Sequence, residues 1–335
     1  MTLLACQALL AAWLLRESRG GSSSTYQPYL QSLPQSYSNP YFCTRQERRC
    51  LPHYLASRVE EQDKLVLRDY KSVSGLQLQD SWTVAEFSWA WFTVNTRAVY
   101  LEHDPRYESH LPSYESHLSR YESQSQLPSH DRLALVPYLD LLNHSGSVSV
   151  RVAVSHLHYQ VVSLSPVQKY QQAFISYGPH DNTKLLVEYG FYLKENPHES
   201  FNISTGDVLQ FVETTGFVCP DINRKIEMIR DNDLHLKLCI VEDGFTWSLK
   251  TVLKILTFRI GESSNSLLEK AYNDEEDEKY ERLFLAFLSY LTERLTKEKI
   301  QMKNVLSNCS HQFVECYNLV ESHLGLLERA RAALL

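Results

Sequence analysis

The sequence lacks two features that would have indicated metal or nucleic-acid binding. Its seven cysteines contain no Cys-x-x-Cys pair, which excludes a zinc ribbon and a thioredoxin-type redox motif. We interpret them as reduced thiols of a cytosolic or nuclear protein. An excess of basic residues is also missing. The formal net charge is −7 over 335 residues, so no general positive field exists to hold nucleic acid.

The first residues lack the charge pattern of a secretory leader. The apolar run TLLACQALLAAWLL has no basic residue before it, charge begins only at Arg16, and the run is too short to cross a bilayer. Its leucines recur at helical spacing, which predicts a core helix over residues 3–17. In the alternative, a secreted protein, Asn143, Asn202 and Asn308 would be glycan acceptors.

Helical spacing dominates the first part of the chain. It predicts a helix over about 53–70 and a buried helix over 81–101, capped by Ser81 and ending near Arg97. Residues 107–123 repeat units of the type YESHLPS, with Ser and Pro between the Tyr and Leu anchors. We interpret this repeat as an expanded surface loop.

The pattern changes at residue 134 to short apolar stretches that are typical of strands. RVAVSHLHYQVVSLS, residues 151–165, alternates as a strand or hairpin does, and QAFISYG predicts a strand over 172–178. Asp181 can then cap a helix that Gly190 ends.

The chain after residue 220 is predicted to be all-helical, because its apolar residues recur every three to four positions. We therefore place a domain boundary near 215–222. The first domain, 1–215, contains a helical part of about 1–130 and a β-rich core of about 134–192. The second domain covers 220–335.

The stretch VPYLDLLNHSGS, residues 136–147, leads an apolar run directly into Asp140, Asn143 and His144. Taken singly, each of these residues has an ordinary structural interpretation. Asp140 can cap a turn, Asn143 can stabilise one through its side chain, and His144 can be a core histidine. Taken singly, Arg97 can likewise be explained as a positive charge that interacts favourably with the C-terminal end of a helix dipole.

Taken together, three stretches resemble the SET-domain protein methyltransferases of the Rubisco large-subunit lysine methyltransferase class. They are WAWFTVNTRAVYL, ALVPYLDLLNHS and FISYGPHDNTKLLVEYGF, and their order and spacing match that class. The resemblance covers nearly the whole chain. It implies an α+β fold: a partial SET β-fold with a large helical insertion, followed by an all-α substrate-binding domain.

The resemblance also implies S-adenosylmethionine as methyl donor and a protein lysine as acceptor, on histones or on other proteins. A relative in this branch modifies a histidine ring instead. The residues that the resemblance assigns to the cofactor are Arg97, Asp140, Asn143, His144, Tyr177 and Tyr189. No metal ligand is implied.

Each assigned residue has an implied role. Asn143 and His144 would line the cofactor pocket, so we interpret their corner as a buried cofactor turn and not as a glycan acceptor. Asp140 would shape this turn, and Arg97 would reach the charged end of the cofactor. Tyr177 would be the catalytic phenol at the point of methyl transfer.

Tyr189 would help to close the pocket and the acceptor channel. Lysine has a pKa of about 10.4 in water, and an apolar channel with a sulfonium nearby favours its neutral, reactive form. Placing the reactants can contribute up to about 7–11 kcal/mol. Such a site needs no strong general base.

The sequence departs from this class in one respect, because it contains no Gly-x-Gly. In the class, backbone approaches the cofactor closely at that motif, which only glycine permits easily. We therefore expect an N-terminally truncated SET domain, and weak or no cofactor binding by residues 1–335 alone. The alternative function is a catalytically inactive SET-family protein that holds a partner through its helical domain.

The remaining expectations concern partners and location. We expect a monomer in the cytoplasm or nucleus that contacts neither nucleic acid nor a membrane directly. The sequence carries no recognisable code for the substrate or for the number of methyl groups transferred.

Overall fold

The computed structural model describes residues 6–75, 81–100, 133–154, 159–258, 268–269, 271–272 and 278–334. The helices run over Cys6–Gly20 (α1), Gln27–Ser32 (α2), Arg45–Arg48 (α3), His53–Ser74 (α4), Val84–Arg97 (α5), Asn182–Lys184 (α6), Thr205–Thr215 (α7), Ile222–Asp231 (α8), Trp247–Thr257 (α9), Glu278–Lys303 (α10) and His311–Ala333 (α11). The strands are Ala98–Tyr100 (β1), Leu133–Leu135 (β2), Asn143–His144 (β3), Val150–Val154 (β4), Tyr159–Ser163 (β5), Phe174–Ile175 (β6), Phe201–Asn202 (β7), Cys239–Val241 (β8) and Gly244–Phe245 (β9). The repeat interpreted as a surface loop lies outside the described residues.

The chain divides into two compact units. The first contains the described residues within Met1–Phe42, Ser57–Pro179 and Glu188–Gly190. The second contains those within Cys43–Ala56, His180–Val187 and Phe191–Leu335. The domain boundary near 215–222 stays a prediction.

The core of the first unit forms where α1 packs against α5. The buried side chains of the two helices are small, aliphatic or aromatic, and they include Ala8, Ala11, Leu14, Phe87, Ala90, Trp91 and Phe92. Both predicted helices are confirmed, but the cap of α5 is Thr83 and not Ser81. Thr83 is the cap because Glu86 lies three residues later and completes a capping box. Ser81 has no Glu or Gln at that spacing and cannot form one.

The strands of the first unit form small two-stranded sheets. β1 pairs with β2 and β4 with β5, both antiparallel, whereas β3 pairs with β6 in parallel. The hairpin predicted over 151–165 is confirmed by β4 and β5. The strand predicted over 172–178 shortens to two residues, because the chain leaves the ladder before Tyr177.

The turn after these strands is also confirmed. Asp181 accepts a hydrogen bond from the Lys184 amide at 2.8 Å, as expected of a helix cap. The helical segment then widens to a π-turn over Leu185–Tyr189 and stops at Gly190, whose φ is +83°.

The second unit is built mainly from helices. Its core is lined by side chains of α9, α10 and α11, including Leu249, Val252, Phe284, Phe287, Phe313 and Leu319. Among the described residues after 220, the chain forms helices and the two strands β8 and β9, which join β7 in an antiparallel sheet. These two strands were not predicted. The two residues that connect them lead into Gly244, whose φ of +115° is a backbone conformation that glycine adopts without strain.

Among the described residues, none of the helices has both the length and the hydropathy that a membrane span requires.

Candidate active site

The parallel pairing of β3 with β6 creates the corner of the candidate site. It aligns Asn143 with Phe174 and His144 with Ile175. The Ser145 amide extends the ladder by donating to the Ile175 carbonyl at 2.9 Å. Because parallel strands run in the same direction, the residues that follow each strand leave at the same edge. Tyr177 therefore arrives beside His144.

Three contacts fix Tyr177 against this corner. Its amide donates to Nδ1 of His144 at 3.0 Å, and its hydroxyl donates to the Leu142 carbonyl at 2.7 Å. Its ring stacks on the imidazole with 5.1 Å between centroids. Because Nδ1 accepts a hydrogen bond, a neutral His144 ring carries its proton on Nε2. Tyr177 and His144 are thus in direct contact at the corner.

The phenol of Tyr177 remains protonated at neutral pH. Burial raises its pKa above the ordinary value for tyrosine; nearby Arg97 acts in the opposite direction, and Asp140 raises the pKa further. The proton is directed to the Leu142 carbonyl. A hydroxyl that donates in this way keeps the ability to accept hydrogen bonds. Tyr177 is therefore suited to orienting a donor and not to removing a proton.

Tyr189 brings a second phenol to the site. Its ring centroid lies 5.1 Å from that of Tyr177. The next residue, Gly190, accepts a hydrogen bond from the Ser38 hydroxyl at 2.8 Å. A Cβ on Gly190 would stand 2.9 Å from that hydroxyl oxygen and 3.2 Å from the Asn39 nitrogen. Close approach and positive φ together require glycine here, and this anchors Tyr189.

Only half of the Asn-His corner is buried. His144 is buried, whereas Asn143 is exposed, which corrects the expectation of a wholly buried turn. The reason is geometric: successive side chains of a strand point to opposite faces. The Asn143 amide therefore faces solvent.

Arg97 and Asp140 form an ion pair next to the corner. Nη1 of Arg97 lies 3.1 Å from Oδ2 of Asp140 and also donates to the Asp140 carbonyl at 3.0 Å. The Asp140 side chain is 1% exposed and that of Arg97 16%. One guanidinium nitrogen is thus engaged by Asp140, and the role of Arg97 at the charged end of a cofactor stays a prediction.

The hydroxyl of Tyr29 completes this cluster by donating to Oδ2 of Asp140 at 2.9 Å. Tyr29 was not predicted from the sequence, because it lies 111 residues from its partner in a Pro- and Tyr-rich stretch without helical or strand spacing. No local pattern could have identified it. In the part of the chain that the structure describes, no group of three or more His, Cys, Asp or Glu side chains is arranged to hold a metal.

The chain is similar in sequence to proteins named SET domain-containing protein 4. It is 34% identical to those of Mus musculus and Homo sapiens over 259 residues, which cover 74% of this chain and 54% of each relative. The chain therefore spans about half the length of these relatives. The Artemia parthenogenetica protein is 30% identical over 347 residues, covering 95% of this chain and 78% of the relative. No protein-family model matches the chain.

More distant relatives carry names that state a reaction. The actin-histidine N-methyltransferase of Rattus norvegicus is 28% identical over 59% of this chain and 31% of its own length. The ribosomal lysine N-methyltransferase set11 of Schizosaccharomyces pombe is 28% identical over 57% of this chain and 45% of its own length.

Solved structures confirm the fold. The SET domain of LSMT with MeLysine and AdoHcy matches with a TM-score of 0.62 at 18% identity, over 98% of this chain and 74% of that one. Rubisco LSMT bound to AdoMet matches with a TM-score of 0.61 at 16% identity, over 98% and 74%. The fold is the predicted α+β type and is similar to that of the LSMT SET domain. By sequence, the chain belongs to the SET-domain proteins of the LSMT-like class, and within that class to the SET domain-containing protein 4 family.

Proposed function

We propose that this protein is an S-adenosylmethionine-dependent protein-lysine N-methyltransferase. The observation that carries the proposal is the convergence of the Tyr177 phenol, the His144 ring and the Tyr189 ring at the end of the parallel β3–β6 ladder. LSMT structures of similar fold support it by analogy, because they are bound to MeLysine and AdoHcy, to Lysine and AdoHcy, or to AdoMet.

The residues at the corner fit such a cofactor in their chemistry. S-adenosylmethionine, when bound, supplies a methyl group on a cationic sulfonium. The faces of Tyr177 and Tyr189 attract a cation through their ring electrons. The exposed Asn143 amide offers two donors and an acceptor, which suits the edge of an adenine ring.

The same residues suit a neutral amine as acceptor. An amine that enters an apolar site loses water, and this favours its uncharged form. The Tyr177 oxygen can accept a hydrogen bond from the amine nitrogen and so direct the nitrogen lone pair to the methyl group. The hydrogen bond to Leu142 holds this oxygen in one place. The chain's contribution is therefore orientation, which general estimates value at up to about 7–11 kcal/mol.

A histidine acceptor is the second candidate, and the similarity to an actin-histidine N-methyltransferase favours it. Both hypotheses are tested by one experiment. The 335-residue chain is incubated with isotope-labelled S-adenosylmethionine and proteins of a cell lysate, and the labelled residues are mapped by mass spectrometry. We expect label on lysine side chains. Label on histidine alone would replace the proposed acceptor, and unlabelled protein would favour an interaction module.

Cofactor binding is tested separately by calorimetric titration. We expect saturable but weak binding of S-adenosylmethionine, in the range of roughly 0.1–1 mM, because no Gly-x-Gly backbone is present to approach it. Asn143→Ala should weaken binding at least about fivefold, since it removes one hydrogen-bonding amide from the corner. Asn308→Ala, at another exposed asparagine, is the matched control and should bind as the wild type does. Absence of heat up to millimolar cofactor would contradict the proposal.

A further inference from the structure

One carboxylate oxygen is held from two distant parts of the first unit. Oδ2 of Asp140 accepts from the Tyr29 hydroxyl at 2.9 Å and from Nη1 of Arg97 at 3.1 Å. Tyr29 lies on α2 and Arg97 ends α5. Of these three residues, Asp140 is the one that belongs to the turn, whereas Tyr29 and Arg97 lie far from the turn in the sequence. The cluster therefore ties the turn to two helices at once.

The turn held in this way leads directly into the corner of the site. A 3₁₀ turn over Leu139–Leu141 precedes Leu142, whose carbonyl receives the Tyr177 phenol. Asn143 and His144 follow at once. The Asp140 main-chain carbonyl is also bound by Arg97 at 3.0 Å, so both the side chain and the backbone of Asp140 are anchored.

In the described residues, the side-chain donors that reach the Asp140 carboxylate are the Tyr29 hydroxyl and Nη1 of Arg97. Within the described residues, the buried atoms Oδ1 of Asp140 and Nε of Arg97 have no hydrogen-bond partner. Asp140 thus depends on the donors that reach Oδ2 and its carbonyl. Without the Tyr29 hydroxyl, the carboxylate would keep the hydrogen bond from Arg97 alone among the donors in the described residues.

The tyrosine is a donor under all ordinary conditions. Burial raises the pKa of the Tyr29 phenol, and the neighbouring Asp140 carboxylate raises it further. The hydroxyl therefore keeps its proton at neutral pH and offers it to Oδ2. A phenylalanine would retain the ring and its packing but not the hydrogen bond.

We propose that Tyr29 is a positioning residue for the Asn143–His144 corner, acting through Asp140 and not by touching a ligand. The buried position of the cluster supports this indirect role, because the Asp140 side chain is 1% exposed. The consequence for cofactor affinity rests on the proposed function. The consequence for the order of the corner does not.

The first test is hydrogen exchange of the whole chain without cofactor. In Tyr29→Phe we expect the amides of Ser145 and Tyr177 to exchange roughly tenfold faster, because a hydrogen bond to a charged group is lost where the corner is anchored. Tyr26→Phe, at the exposed tyrosine just before α2, is the matched control and should leave both rates unchanged. Unchanged rates in Tyr29→Phe would overturn the proposal, as would an equal increase across α1 and α5.

The second test is a double-mutant cycle on those exchange rates. If Tyr29 acts through Asp140, Tyr29→Phe should have no further effect in an Asp140→Asn background. Additive effects would show that Tyr29 acts on its own, and would overturn the indirect role. In calorimetry, wild-type binding together with several-fold weaker binding by Tyr29→Phe would support the proposal. Equal binding by both would refute its functional part, whereas absence of binding by the wild type would count against the methyltransferase proposal alone.

Discussion

Replacing Tyr177 with phenylalanine should lower the rate of methyl transfer about 100-fold while the protein stays folded. Deleting one preorganised hydrogen-bonding group from an active site typically costs a factor of this size. The variant keeps the ring that stacks on His144 and loses the hydroxyl that is fixed on the Leu142 carbonyl. Transfer of label from S-adenosylmethionine to the mapped acceptor protein, under saturating cofactor, measures the effect.

The matched control is Tyr170→Phe, because the Tyr170 side chain is 93% exposed. It should transfer label at the wild-type rate. Tyr189→Phe tests the second phenol in the same assay. If Tyr177→Phe were as active as the wild type while Tyr189→Phe lost activity, the catalytic role would belong to Tyr189 instead.

The pH dependence separates orientation from proton abstraction. The reactive fraction of a lysine with a pKa of about 10.4 rises tenfold per pH unit between roughly 7 and 9. Since burial raises the pKa of the Tyr177 phenol, the phenol stays protonated over this interval. The slope should therefore persist in Tyr177→Phe at a lower overall rate. Loss of the slope in the variant would identify Tyr177 as the titrating base.

The sequence predicts the site's members better than their arrangement. The order of the three stretches pointed to Asn143, His144, Tyr177 and Tyr189, and the structure brings the two tyrosine rings and the imidazole within 5.1 Å of their neighbours. A shared family pattern encodes this because it fixes the order of the segments that carry the residues. What each residue does at the corner stays a prediction.

Details that depend on the direction of a side chain were harder to predict. The exposure of Asn143 follows from the two-residue periodicity of a strand, but the strand was too short to be recognised beforehand. The N-cap of α5 is Thr83 and not the predicted Ser81, because Thr83 and Glu86 form a pair of reciprocal hydrogen bonds. The β8–β9 hairpin was not predicted, because the apolar residues before and after it recur at strong helical spacing.

Contacts between distant segments were beyond any local pattern. Tyr29 and Asp140 meet only because α2 and the 139–141 turn pack in one unit. Their hydrogen bond requires a hydroxyl group, a buried position and an acceptor. No short stretch of the sequence contains all three. Asp140 also pairs with Arg97, and this ion pair has the largest consequence for stability that we expect at the site.

Replacing Asp140 with alanine should lower the free energy of unfolding of the first unit by about 3 kcal/mol. Removing one partner of a buried ion pair typically costs about 3–5 kcal/mol, because the other charge stays buried and uncompensated. The lower end applies here, since the Arg97 side chain is 16% exposed. Urea unfolding followed by tryptophan fluorescence measures the effect, because the first unit holds four of the five tryptophans.

A double variant that removes both Asp140 and Arg97 separates the effect of an unpaired charge from the effect of lost packing. Asp140→Ala combined with Arg97→Met should recover a large part of the lost stability, since no unpaired charge is then left in the cluster. Glu60→Ala, at an exposed carboxylate on α4, is the matched control and should stay within about 0.5 kcal/mol of the wild type. A double variant as unstable as Asp140→Ala would show that Asp140 stabilises the turn through its own backbone geometry and its bond to Tyr29. The ion pair would then be incidental to the fold, and Arg97 could leave Asp140 for a ligand at little cost.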